Sequence, residues 1–254
     1  MTVRLYAMTL GRLDVNMANM MEGSQGIERV PVPAFLVEHP KGRLVYDTGM
    51  HPLIQTDPAA HLGETASRFG FDYAPGEEVS GRLEAIDRDP ARIDLIVTSH
   101  LHFDHAGGNG LIPNADILIQ RREWDVAMDP EVGPKWGLHR RDVELGHRVT
   151  KVEGEHDVFG DGRVVCIPTH GHTPGHQSLK VRLDDGEVVL TGDACYFCRT
   201  LDERRLPARV FDRPAMRESL DRLAALRDGG AKLIFGHDAE FWKSVPQAPA
   251  EVRF

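Results

Sequence analysis

The stretch Ser99-His100-Leu101-His102-Phe103-Asp104-His105-Ala106-Gly107-Gly108 decides how this chain is read, because it sets three imidazoles and a carboxylate within six consecutive positions. Imidazole nitrogen and carboxylate oxygen together favour Zn²⁺, Fe²⁺ or Mn²⁺. A lone histidine carries no such meaning, and the chain has 13 histidines in all. In an extended backbone side chains alternate faces, so His100, His102 and Asp104 are expected to project the same way. His105 then turns off where Gly107 and Gly108 break the strand. The spacing is not the His-Glu-x-x-His of a zincin helix. One loop at a strand end can therefore serve two metal positions.

Working outward, the same arrangement recurs. The cluster begins where the short apolar strand Ile93 to Val97 stops, and the strand Arg163 to Ile167 runs into Pro168-Thr169-His170-Gly171-His172-Thr173-Pro174-Gly175-His176. Gln177 to Leu183 and Glu187 to Leu190 read as a hairpin through Asp185-Gly186, ending in Thr191-Gly192-Asp193, and Lys232 to Phe235 delivers Gly236-His237-Asp238. Four β-type runs thus bring His100, His102, Asp104, His105, His172, Asp193 and His237 to the same kind of position, where one rim of one core gathers them. Thr2 to Leu10 reads as a strand, and Ala34 to Glu38 with Arg43 to Tyr46 as a hairpin that ends in Asp47-Thr48-Gly49. His51 to Gly81 has no steady period and reads as loop with a short helix, followed by a helix over Val79 to Asp87. Asp116 to Gln120 is a strand, Arg121 to Met128 a helix, and residues 129 to 148 are irregular. Pro214 to Arg227 is an amphipathic helix with Met216, Leu220, Leu223 and Leu226 on one face and Gly229-Gly230 as its stop. Strands interleaved with helices and hairpins predict an α/β protein, two mixed sheets packed together with helices outside.

At 254 residues without repeat or linker, positions 1–254 read as one domain. A balance of 30 basic against 39 acidic residues, net −9, disfavours nucleic acid and suits a small neutral substrate. Met1 to Tyr6 carries no signal-like segment and no apolar run could span a bilayer, so a soluble cytoplasmic protein with no membrane partner is expected. The odd set Cys166, Cys195 and Cys198 fits a reducing compartment; Cys195 and Cys198 form Cys-x-x-Cys without thioredoxin-like surroundings and are expected to be buried.

His-x-His-x-Asp-His, Gly-His-Thr-x-Gly-His, Thr-Gly-Asp and a late Gly-His resemble the metallo-β-lactamase superfamily of hydrolases over nearly the whole chain. The resemblance implies an αββα sandwich with a dinuclear metal site on one edge of the sheets. Carried over by motif, His100, His102 and His172 would hold the first ion, Asp104, His105 and His237 the second, and Asp193 would bridge them. The ions would be zinc first, with Mn, Fe or Co as alternatives. Ser99 to Asn109, Thr173 to Ser178 and Asp193-Ala194-Cys195-Tyr196 further resemble N-acyl-homoserine lactonases, which open the lactone of bacterial quorum signals. In that family the tyrosine three after the bridging aspartate contacts the substrate carbonyl, a role that falls to Tyr196. Asp104 becomes both ligand and proton donor to the leaving oxygen, with water activated at the metal pair.

Pyridoxolactonase-like enzymes and glyoxalase II-type thioesterases are the neighbouring alternatives, the latter sharing all seven ligands. They typically carry a basic C-terminal region, whereas Val245 to Phe254 holds a single arginine. A non-catalytic metal-binding pseudoenzyme would lack a ligand, and none is missing. Asp47 is a candidate acceptor for the free N–H of a ligand histidine. His176 reads as structural, as do His39, His51, His61, His139, His147, His156 and His170. Met20, Met21, Trp136 and Phe197 are the candidates for an acyl-chain pocket. A homodimer is one assembly open to such a chain.

Overall fold

The computed structural model describes residues 2–254; Met1, the first position of the single-domain reading, lies outside them. A seven-stranded sheet is built from β1 (Arg4–Asn16), β2 (Ile27–His39), β3 (Gly42–Tyr46), β4 (Gly70–Asp72), β5 (Leu95–Val97), β6 (Asp116–Gln120) and β7 (Val149–Val152), in the order β4-β1-β2-β3-β5-β6-β7. A five-stranded sheet follows from β8 (His156–Asp157), β9 (Val164–Pro168), β10 (Gln177–Arg182), β11 (Glu187–Leu190) and β12 (Lys232–Ile234), in the order β12-β11-β10-β9-β8. Both are mixed: β3, β5, β6 and β7 run parallel, as do β11 and β12, while the other pairs are antiparallel.

The layering follows from the period of two in the apolar strands. Leu5, Ala7, Leu44 and Tyr46 of the first sheet meet Val164, Cys166, Leu179 and Val188 of the second in one cluster between the sheets. Their sequence neighbours Tyr6, Met8 and Val45 point the other way, where Val79 and Leu83 of the helix Val79–Glu84 cover them. On the far side Ile167, Val189 and Leu233 lie under Met216, Leu220 and Leu223 of the helix Arg213–Asp228. The result is the expected αββα sandwich. Each such aliphatic side chain contributes about 1.5–3 kcal/mol on burial. The long helix starts where the Asp212 carboxylate accepts the Ala215 N–H at 3.0 Å, and it ends at Gly230, whose φ of +99° lies in the left-handed region. Among the described residues, no helix is long and apolar enough to cross a membrane.

Several local expectations are corrected. β1 and β2 are 13 residues each, longer than read, because β1 passes through a register shift between Thr9 and Arg12, at Gly11 with φ +80°. Pro33 and Pro31 of β2 pair with Thr9 and Arg12 on either side of that shift, so prolines that argue against a strand sit at its irregularity. The stretch 51–81 holds the short helix expected there, Pro58–Leu62, and in addition two further helical turns and the strand β4. Cys198 is exposed, with Sγ 3.7 Å from Asp202 Oδ2, whereas Cys195 is buried as expected; Cys166 is buried too.

The central stretch also departs from the extended reading. Phe103–Ala106 forms one helical turn, so Asp104 and His105 leave the strand direction together. Gly107 and Gly108 have ordinary negative φ and break nothing. A Cβ on Gly108 would instead run into the Thr48 carbonyl oxygen, because the loop lies directly on the Asp47-Thr48-Gly49 turn. Thr48 N–H donates to the His105 carbonyl at 2.8 Å across the same contact. Gly108→Ala should therefore lower unfolding free energy by about 1–3 kcal/mol, measured by urea denaturation; an unchanged midpoint would contradict the close approach.

Candidate metal centre

The donors lie just beyond strand ends: His100, His102, Asp104 and His105 after β5, His172 after β9, Asp193 after β11 and His237 after β12. Gln177 N–H donates to the Ser99 carbonyl at 2.9 Å and joins the rims of the two sheets. The loops after β11 and β12 keep their pairing through Gly236 N–H to the Cys195 carbonyl (3.1 Å) and His237 N–H to the Tyr196 carbonyl (3.0 Å). All seven expected side chains come together. His100, His102, His172 and Asp193 form one group and Asp104, His105 and His237 another, with the donor atoms of each group within 4.8 Å of one another.

Asp193 stands between the groups. Its Oδ2 is 3.2 Å from His172 Nε2 and 3.6 Å from His100 Nε2, while Oδ1 is 3.2 Å from His105 Nε2 and 3.1 Å from His237 Nε2. Asp104 Oδ2 lies 3.7 Å from both His105 Nε2 and His237 Nε2. His105 Nε2 and Asp193 Oδ1 are buried and make no hydrogen bond, which would cost about 1–3 kcal/mol each if nothing filled the space between them. A nitrogen and oxygen donor set of this kind, with orphaned atoms turned inward, fits divalent metal ions.

The outward ring nitrogens are held in turn. His105 Nδ1–H donates to Asp47 Oδ2 at 2.8 Å, His237 Nδ1–H to the Pro31 carbonyl at 2.8 Å, and His102 Nε2–H to the Trp136 carbonyl at 2.8 Å. His100 Nδ1 lies 2.9 Å from Ser99 Oγ, whose hydroxyl donates to Asp47 Oδ2 at 2.8 Å. These partners fix each ring so that its other nitrogen faces the centre. Asp47 therefore serves both groups, one directly and one through Ser99, from a backbone held at φ +59°. His176 is structural, as read: its Nε2 accepts the Asp193 N–H at 3.0 Å and its Nδ1 faces Thr169 Oγ1 at 2.9 Å.

Burial, with the neighbouring imidazoles, pushes His100 well down and His102 to about 3, so both are neutral. Burial pulls the same way at His105 and His237, but there Asp193 and Asp104 outweigh it and raise both. Asp193 is held well below the carboxylate range: burial opposes this, and His105, His237 and His100 prevail. Among the described residues no Lys or Arg pairs with Asp47, Asp104 or Asp193.

A cavity of about 520 Å³ adjoins the centre and includes Asp104, Asp193, His237 and Tyr196 in its lining. Burial, with Asp193 and Asp104 adding to it, keeps the Tyr196 phenol protonated. Of the four pocket candidates, Met20 and Trp136 line the cavity; Met21 and Phe197 are fully packed and do not. The Arg209 guanidinium sits 4.6 Å from the Trp136 ring centre. His139, read as structural, also lines the cavity.

Phe69 also lines the cavity and has no signature in the sequence, since it lies in a Gly/Pro/Asp-rich stretch with no period. Ser99 and Glu123 likewise have roles that only the structure shows, Glu123 being a fully buried carboxylate that accepts the Leu101 and Gly175 N–H groups. For Glu123 the one available signal was an acidic residue in a helix's first turn, which ordinarily marks nothing but the dipole.

The family model for the metallo-beta-lactamase superfamily matches residues 27–237. The N-acyl homoserine lactonase AttM of Azorhizobium caulinodans is 34% identical over 256 residues, 97% of each chain. The N-acyl homoserine lactonase AiiA of Bacillus thuringiensis subsp. kurstaki is 32% identical over 256 residues, 98% of this chain and 99% of that one. An N-acyl homoserine lactone hydrolase, solved with the product N-hexanoyl-L-homoserine bound at its catalytic metal centre, superposes with a TM-score of 0.87. It is 29% identical, over 99% of this chain and 100% of that one. With its sheets, its seven clustered donors and these relatives in agreement, the chain belongs to the metallo-β-lactamase superfamily and, within it, to the family of the N-acyl homoserine lactonases.

Proposed function

We propose that this protein opens the lactone ring of N-acyl homoserine lactones by metal-dependent hydrolysis, with two divalent ions per chain, zinc foremost. The observation that carries the reading is Asp193, whose two oxygens face different histidine groups beside a cavity with one apolar wall. On this reading His100, His102 and His172 would hold one ion, Asp104, His105 and His237 the other, and Asp193 would serve both groups. Such a pair, when bound, polarises a carbonyl oxygen and lowers the pKa of water towards neutrality.

The chain's own residues bind, orient and move protons. Val15, Met20, Phe69, Phe103 and Trp136 offer the acyl chain an apolar wall, each Å² removed from water being worth about 25 cal/mol. Tyr196 Oη lies 3.3 Å from His172 Nδ1. In the tautomer that carries its proton on Nδ1, His172 donates to the phenol oxygen, and the phenol hydrogen is left for the lactone carbonyl as negative charge grows there. Asp104, on the cavity and nearly buried, takes a proton from the attacking water and passes it to the departing ring oxygen as the ester bond breaks. Water is added across the ester bond, giving a hydroxy acid and, at neutral pH, one released proton.

Tyr196→Phe should lower kcat about 10-fold to 100-fold, less than loss of a sole oxyanion donor, since the carbonyl is polarised by the metal as well. Metal content should not change. Steady-state kinetics with wild-type kcat and KM would return Tyr196 to a packing role.

One observation favours a second reading, a glutathione thioesterase: Arg68, Lys135 and Arg209 line the cavity without a carboxylate partner among the described residues. Against it, the C-terminal stretch lies along β1, with Ala248 N–H on the Ala7 carbonyl and Val252 N–H on the Leu5 carbonyl, both at 2.8 Å, and does not line the cavity. A pH-indicator assay of acyl-homoserine lactones, a pyridine-derived lactone and S-lactoylglutathione separates the readings. Proton release fastest with the first class supports the proposal; inert lactones beside rapid thioester cleavage would replace it. A cytoplasmic setting and a homodimeric assembly complete the proposal, the second open to sedimentation analysis.

A further inference from the structure

Glu123 stands in the first turn of the helix Arg121–Met128, is 0% exposed, and has no cationic partner among the described residues. Its Oε1 accepts the Leu101 N–H at 3.0 Å and its Oε2 the Gly175 N–H at 2.8 Å. Leu101 separates His100 from His102 on the loop that leaves the seven-stranded sheet. Gly175 lies between His172 and His176 on the loop that enters the five-stranded sheet. One side chain therefore spans the two loops that carry all three histidines of the first donor group. Gly175 lies so close that a Cβ there would run into the Glu123 backbone nitrogen, leaving no slack in the contact.

Packing alone does not ask for this residue. A buried carboxylate costs several kcal/mol that an apolar side chain of similar volume would not. What the carboxylate offers is two acceptor oxygens at a fixed separation, each facing a backbone N–H. A glutamine has one acceptor and one donor, so one of the two loops would lose its anchor. An aspartate keeps both acceptors but is one methylene shorter.

We propose that Glu123 is a positioning residue for the metal centre: by holding the Leu101 and Gly175 N–H groups on one carboxylate, it sets the His100–His102 pair against His172. It thereby sets the affinity of that metal position. The proposal rests on the reading of these three histidines as ligands. Asp193 approaches the same histidines but also the second group, so Glu123 differs in acting on one position only.

The test is chelator competition with Zn²⁺ on wild-type protein and Glu123→Gln, which resolves both metal dissociation constants. Visible absorption of the Co²⁺-loaded forms and thermal melting of the metal-free forms accompany it. Partners behind metal ligands typically contribute about 10-fold to 100-fold in affinity. Glu123→Gln should weaken one of the two constants by that factor, leave the other unchanged, and alter the Co²⁺ spectrum of the weakened position. Equal constants in both proteins, with or without a lower melting temperature of the metal-free variant, would overturn the proposal and leave Glu123 a structural residue. Should Glu123→Gln not fold, Glu123→Asp decides on the same constants: one selectively weakened supports the proposal, none weakened overturns it. Wild-type protein that binds fewer than two ions would instead overturn the ligand reading on which the proposal rests, an outcome distinct from the others.

Discussion

Asp193→Asn should strip the protein of most of its metal and lower kcat/KM by at least about 100-fold. The carboxylate is buried, and four imidazole nitrogens from two groups lie 3.1 to 3.6 Å from its two oxygens. An amide of the same shape presents one neutral oxygen and one donor where the arrangement needs an anionic acceptor on each side. Removing one partner from a buried charged set costs about 3–5 kcal/mol, which corresponds to roughly 10²–10⁴ in metal affinity. The fold should survive, because the Asp193 backbone N–H keeps its bond to His176 Nε2. Elemental analysis and steady-state kinetics on the same preparation are the check. Asp193→Asn protein that keeps two equivalents and most of its activity would remove Asp193 from the centre of the account.

Asp104→Asn is expected to have the second-largest effect, a fall in kcat of about 10²–10⁴ at saturating metal, the range a positioned general acid supplies. Asp104 lines the cavity, and its Oδ2 lies 3.7 Å from His105 Nε2 and His237 Nε2, so it can serve as ligand and meet the leaving oxygen from one position. The two duties separate experimentally. A phenyl ester, whose leaving group departs without a proton, should recover most of the lost rate if proton donation is the missing step. An equal loss on lactone and phenyl ester would assign Asp104 to metal holding alone, and unchanged kcat on the lactone would refute the acid role.

The donors were legible in the sequence because their chemistry is dense and local: His100, His102, Asp104 and His105 stand within six positions, and His172, Asp193 and His237 each follow a short apolar run. The strands between the sheets were legible for a related reason, since Val164-Val165-Cys166-Ile167 and Glu187-Val188-Val189-Leu190 have apolar residues for both faces. Other features depend on what the chain meets in three dimensions. Pro31 and Pro33 argue against a strand unless the register shift opposite them is known. Gly107 and Gly108 read as breakers, yet Gly108 is needed because Thr48 passes against it, 60 positions earlier in the chain. Asp47 was a candidate acceptor for a ligand histidine, but the role of Ser99, which extends its reach to His100, does not follow from the motif that Ser99 opens. Glu123 and Phe69 are the same case: the first is buried against two remote loops and the second, partly buried, reaches the cavity, and neither place follows from any local period.

The most direct test of the central claim is to remove metal from the enzyme and titrate Zn²⁺ back while following ring opening of N-hexanoyl-homoserine lactone by proton release. No turnover is expected without metal, and activity should rise with added Zn²⁺ and level off at two equivalents per chain. Full activity at one equivalent, or hydrolysis that persists in the metal-free enzyme, would contradict that claim.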